Sequence, residues 1–167
     1  PAEVSRHLRD ARNLVGQVIR QVRTVLAELR PPVLDDYGLL AALQWYGQQF
    51  AQRSGIEVEV TDCGVEMRCS PNVETALFRI TQEALNNVAK HAMASKVEMS
   101  LRCEDGRVRL VIVDNGKGFN VGRIRQSSDE PHWGFLTMQE RALGVGGTLT
   151  VTSQPDAGTT VVVEVSP

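Results

Sequence analysis

The 167-residue sequence predicts an α/β fold of the α+β kind, preceded by a long N-terminal helix. Three observations carry that expectation. Residues 4–29 repeat apolar side chains at alternating spacings of four and three, short runs further on alternate strictly between apolar and polar, and a stretch over 115–133 has no period at all. The composition suits one packed domain with an appended element: 42% hydrophobic residues, with 18 Lys+Arg against 20 Asp+Glu. A net charge of −2 supplies no broad basic field, so nucleic acid is not expected as a partner. Cys63, Cys69 and Cys103 lack CxxC spacing and are odd in number, which supports neither a disulfide framework nor a zinc site and fits a reducing cytoplasm. No apolar run approaches the roughly 18 residues that span a bilayer, so no direct membrane contact is expected. The chain opens at Pro1 rather than Met and reads as a fragment.

Val4, Leu8, Ala11, Val15, Val18, Val22, Val25 and Leu29 form the heptad seam of the first helix, and Leu14, Ile19 and Leu26 widen it toward a helix bundle. Pro31 and Pro32 end that helix, because proline lacks an amide donor and pushes its predecessor out of helical geometry. Asp35 or Asp36 then caps a helix from about 38 to 53, with Leu39, Leu40, Leu43, Tyr46 and Phe50 as its stripe and Gly55 as its stop. Ile56, Val58 and Val60 alternate as a strand. Ser70 and Pro71 are an N-cap and first-turn pair for a helix over roughly 71–92. Val97 to Cys103 and Val108 to Ile112 alternate on either side of Asp105-Gly106 and predict a β-hairpin. After the loop over 115–133 come a helix near 135–143 and strands at about 148–153 and 159–165, joined by a Pro155 to Gly158 turn. A loop as long as 115–133 inside a compact domain is usually functional.

On a helical wheel Val73, Leu77, Ile80, Ala84 and Val88 share one arc; Asn87 and His91 fall inside it and Glu83 at its edge. Buried without partners, such a group costs about 1 to 3 kcal/mol, so each must meet an acceptor, water, metal or ligand. Asn87 and His91, each taken alone, also read as satisfied core residues. Together, at i, i+4 and i+8 with Lys90 beside them, they give one helix face two oxygen ligands for a hard cation and two groups for phosphate, the combination that Mg-nucleotide requires. The second hairpin strand runs into Asp114-Asn115-Gly116-Lys117-Gly118-Phe119, a carboxylate at a strand end beside glycines that admit a ligand close to the backbone. An Asn-Gly turn accounts for the same string. GxxxxGK[ST] is absent, and this GxG precedes a loop rather than the helix of a dinucleotide fingerprint.

With Gly134 to Arg141, Gly144 to Thr148 and Gly158-Thr159 added in order, the sequence resembles the ATP-binding domain of sensor histidine kinases, in the wider family shared with gyrase, Hsp90 and MutL. The closer resemblance is to the NarX and DesK subfamily, through Leu29 to Leu39, Gln82 to Ala92, Asp114 to Phe119, and Gly134 to Arg141. It covers nearly the whole chain. It implies a two-layer sandwich whose mixed sheet is covered by helices on one face. Residues 1–30 would be the second helix of a dimerisation hairpin, 31–37 a linker and 38–167 the ATP-binding catalytic domain.

For the site, the resemblance implies Mg2+ held through Asn87 with Glu83 nearby, Lys90 and His91 toward the phosphates, and Asp114 on adenine. Gly116, Gly118 and Gly134 would frame a lid over ATP whose cations Lys117, Arg123, Arg125 and His132 could reach phosphate, with Thr159 near the base. Phe135 stands where leucine is more usual. The expected function is donation of the ATP γ-phosphate to a histidine on an upstream segment absent here, for relay to the aspartate of a response regulator, within a cytoplasmic homodimer. His7 lies outside any acceptor motif. Two rivals stand beside this reading: a gyrase- or Hsp90-type ATP hydrolase in which Glu83 activates water, and a dimerisation module that has lost its nucleotide.

Overall fold

The computed structural model describes residues 31–62, 69–104, 106–120 and 133–166. The expected helix over 1–30, His7, Cys63 and the loop residues 121–132 lie outside the described residues.

Five strands form one mixed sheet in the order β1-β2-β3-β5-β4. They are β1 (Glu57–Asp62), β2 (Lys96–Glu104), β3 (Arg107–Asp114), β4 (Thr148–Ser153) and β5 (Thr159–Val165). β1 runs parallel to β2, and every other pairing is antiparallel. Glu104 pairs with Arg107 at the end of the expected hairpin. Along β3, Val108, Leu110, Ile112 and Asp114 are buried while Arg107, Arg109 and Val113 are exposed. One face is therefore covered and one open, the two-layer arrangement expected. Its helical layer consists of α1 (Pro32–Ser54), α2 (Pro71–Asn87) and α3 (Trp133–Gly144).

α2 packs against both α1 and α3. Leu77, Phe78, Ile80 and Leu85 of α2 are fully buried with Leu34 and Leu43 of α1 and Val97, Met99, Leu110 and Val163 of the sheet. Each such side chain contributes about 1.5–3 kcal/mol by leaving water. Tyr46 meets Phe78 edge-on, with centroids 5.6 Å apart, and joins α1 to α2.

Three local expectations need correction. Residues 31–37, read as a linker, are helical from Pro32, and Leu34 is fully buried. Proline suits the first helical position, where no donor is needed, and the break falls instead at Gly38, whose φ of +83° a side chain would oppose. Ser70 occupies the N-cap of α2 without a side-chain capping bond; its carbonyl accepts the Glu74 N–H at 3.0 Å. The helix expected to run to 92 stays α-helical only to Asn87, continues as a π turn over Val88–Ala92, and stops at Met93 in the left-handed region. Cys69 and Cys103 are half-buried.

Candidate functional site

The loop at the end of β3 is held by several hydrogen bonds. Asp114 is 6% exposed, and its Oδ1 accepts the Gly116 N–H at 2.8 Å. Asn115 Oδ1 accepts from the backbone N–H groups of Ser95 and Lys96 at 2.9 and 3.0 Å, and its Nδ2 donates to Ser95 Oγ at 2.9 Å. Lys117 N–H donates to Ala92 O at 2.8 Å, while Lys117 O accepts from Asp156 N–H at 2.7 Å. The loop is thus tied both to the π turn and to the β4–β5 connection. A Cβ at Gly116 would collide with Ala92 O. One at Gly118, where φ is +56°, would collide with Gln154 O. The space these glycines leave is filled by protein backbone, so they are needed for the loop's own packing and not merely for the approach of a ligand.

On α2, Glu83 and Asn87 are half-buried one turn apart. A Cβ at Gly134, in the first turn of α3, would collide with Glu83 Oε1 and lie 3.4 Å from Asn87 Nδ2. Gly134 therefore brings the start of α3 onto the two α2 oxygen-bearing side chains that sequence spacing had paired. His91 departs from expectation: it is exposed, as is Lys90. The π turn inserts a residue into the helical repeat, so the wheel drawn through Ala84 no longer predicts which way residue 91 faces. His91 and Lys90 lie on the short turn whose Ala92 carbonyl holds the Asp114 loop.

Thr159 opens β5 directly opposite Asp114, and residues opposed in this way share a face of the sheet. Ser153, at the end of β4, is a residue that pattern reading missed. Its Oγ lies 2.8 Å from Gly158 O, 2.9 Å from Phe119 N and 3.1 Å from Thr159 Oγ1. A serine in the inward register of Leu149 and Val151 was the available signal. A separate cleft of about 590 Å³ lies over α2 between α1 and α3, with Arg53, Arg79 and Arg141 in its wall. It shares Glu83 with the Asn87 side chain's surroundings and includes neither Asp114 nor Thr159.

Residues 72–167 match the family described as the histidine kinase-, DNA gyrase B- and HSP90-like ATPases. The chain belongs to this family. The chain is 36% identical over 98% of its length to the signal transduction histidine-protein kinase/phosphatase DegS of Brevibacillus brevis, covering 41% of that protein. It is 41% identical over 86% of its length to the sensor histidine kinase MctS of Rhizobium johnstonii, covering 31% of it. The chain thus spans well under half of these two relatives. Among solved structures, the histidine kinase domain of the Erythrobacter litoralis EL346 blue-light activated kinase superposes with a TM-score of 0.63 at 21% identity, over 77% of this chain and 60% of that one. Full-length ShkA in complex with AMPPNP gives 0.62 at 22% identity, over 77% and 29%. These two establish the fold. The matched family and the curated relatives make the chain an ATP-binding catalytic domain of the sensor histidine kinase kind, and the hydrolase alternative is not favoured.

Proposed function

We propose that the domain binds Mg-ATP between the Asp114 loop and the 83–91 face and presents the γ-phosphate to a histidine on an upstream segment, from which it passes to a response regulator aspartate. The observation that carries this reading is the buried Asp114, opposed to Thr159 and fixed by Gly116 N–H, in a loop already tied down on both sides. A carboxylate accepts strongly from an adenine amino group. Asn87 and Glu83 fit magnesium: they are hard oxygen donors one turn apart against Gly134, few enough to leave positions for phosphate and water. Bound there, the ion would supply charge neutralisation on the phosphates.

The rest is the work of the chain's own groups. Lys90 and His91, exposed beside the loop, are the groups proposed to face the phosphates, and Lys117 N–H keeps the loop in register with them through Ala92 O. Phosphoryl transfer passes through a loose transition state, so alignment and neutralisation count for more than a covalent partner. Gly116, Gly118 and Gly134 bound the segment proposed as a lid.

Within this reading the chain is of the NarX and DesK-like kind. Residues 1–30 would complete a dimerisation hairpin in a cytoplasmic homodimer, and a receiver domain would be the partner. Among the described residues no helix is long and apolar enough to cross a membrane. Calorimetric titration with ATP and ADP, with and without Mg2+, tests the proposal; absence of binding in all four conditions would end it.

A further inference from the structure

The cleft over α2 does not include Asp114, and its charge calls for an explanation of its own. Among the described residues that line it, the charged side chains are Arg53, Arg79 and Arg141 against the single carboxylate of Glu83. The whole chain carries a net charge of −2, so a general excess of basic residues does not produce this local field. Glu83 leaves it positive, and its Oε1 lies against Gly134 at the start of α3. Helix ends account for part of the pattern: Arg53 is in the last turn of α1 and Arg141 in that of α3, where a cation meets the negative end of the helix dipole. That attraction does not bring two helix ends to one cleft, nor does it concern Arg79, which lies mid-helix in α2. Arg53 Nε donates to Gln49 O at 3.3 Å, with Cζ 6.0 Å from the Tyr46 ring centroid, and Arg79 Nη1 donates to Gln82 Oε1 at 2.7 Å. A guanidinium has five N–H groups, so one such bond orients the fork without exhausting it.

We infer that this cleft is an anion site, separate from the proposed nucleotide pocket, for a small ligand whose phosphate groups carry two or more negative charges. One bidentate arginine satisfies a lone carboxylate. A phosphate or diphosphate presents oxygens and charge enough to engage guanidiniums from three helices at once, and planar forks suit it better than ammonium groups would. At about 590 Å³ the cleft has the size of an ordinary small-molecule site. The inference stands on the arginines and not on the adenine-nucleotide reading above.

The test is calorimetric titration of the full chain with inorganic pyrophosphate, at fixed ionic strength and with EDTA to remove magnesium. The wild type should bind it, and Arg141→Gln, at an exposed position, should weaken binding by about tenfold through loss of one charge-assisted contact. Arg53→Gln, on the α1 wall, should do the same. No binding by the wild type, or unchanged affinity in both variants, would overturn the inference. Arg107→Gln removes the same charge from an exposed position on β3 and should leave the affinity unchanged. A fall equal to that of Arg141→Gln would reduce the effect to general attraction and overturn the site. The double variant Lys90→Ala with His91→Ala separates the cleft from the proposed nucleotide groups: pyrophosphate should still bind. Loss there, with none in Arg141→Gln, would put the anion on the nucleotide groups and overturn the cleft. A wild type that binds pyrophosphate through Arg141, yet no ATP or ADP with or without Mg2+, upholds the inference and removes the nucleotide reading instead.

Discussion

Asp114 reaches 6% exposure with one carboxylate oxygen held by Gly116 N–H, so its other oxygen is the group whose loss a ligand would register. Asp114→Asn is expected to weaken ATP and ADP alike by roughly ten- to a hundredfold, the cost of about 1.5 to 3 kcal/mol for a charged hydrogen bond. Calorimetry on the folded variant checks this, and unchanged affinity would refute the adenine assignment. Asn87 calls for a different measurement, because its amide is the proposed magnesium ligand: Asn87→Ala should abolish the stimulation of binding by Mg2+ more than it lowers metal-free binding. An equal loss in both conditions would make Asn87 a packing residue. Cys69 is pushed above the ordinary thiol range, first by burial, then by the carboxylate of Glu74 and by Cys103. It should consequently alkylate more slowly than a free thiol near neutral pH, as timed iodoacetamide labelling would show.

At the scale of elements, the decisive contact is between the Asp114 loop and the π turn, two segments that sequence periodicity treats separately. Gly116→Ala would drive a Cβ into Ala92 O and to 2.8 Å from Ala92 Cβ, with no flexible side-chain end to yield. A destabilisation of about 1–3 kcal/mol in urea unfolding is expected, with weakened nucleotide binding. Gly144, at the end of α3, is the control: a Cβ there meets nothing within 4 Å. Gly144→Ala should be neutral or stabilising by up to about 1 kcal/mol. Comparable losses in the two variants would mean that the loop contact carries no special burden.

For the molecule as a whole, the proposed reading separates binding from transfer. The chain has 3 histidines, and His7, His91 and His132 are none of them placed as an acceptor in the sequence pattern. His91 sits on the turn proposed to support the phosphates, where taking an in-line position behind the γ-phosphate as well is unfavourable. Incubated with γ-labelled ATP and Mg2+, the chain should bind nucleotide and gain no acid-labile, base-stable label. An upstream helix bearing an acceptor histidine, supplied in trans, should become labelled weakly, since the covalent link that raises effective concentration is missing. Stoichiometric label on any of the three histidines would overturn the division.

The alternation of Val97 to Cys103 and of Val108 to Ile112 and the two closing strands were legible in the sequence, because a period of two against one buried face leaves little freedom of register. The ordered motifs from Gln82 to Arg141 likewise pointed to the family that the matched residues 72–167 establish. What the sequence could not fix were features set by contacts between distant segments. Leu34 binds residues 32–37 into the core and turns an expected linker into helix. The π turn, which a fixed 100° wheel cannot represent, carries Lys90 and His91 out to solvent and sets Ala92 O where the loop needs it. Ser153 ties β4 to the start of β5 and to Phe119 only because these segments converge on one hydroxyl. Periodicity records which side of an element is buried; which backbone atom waits there, and whose proton it takes, is decided by the packing of segments far apart in the chain.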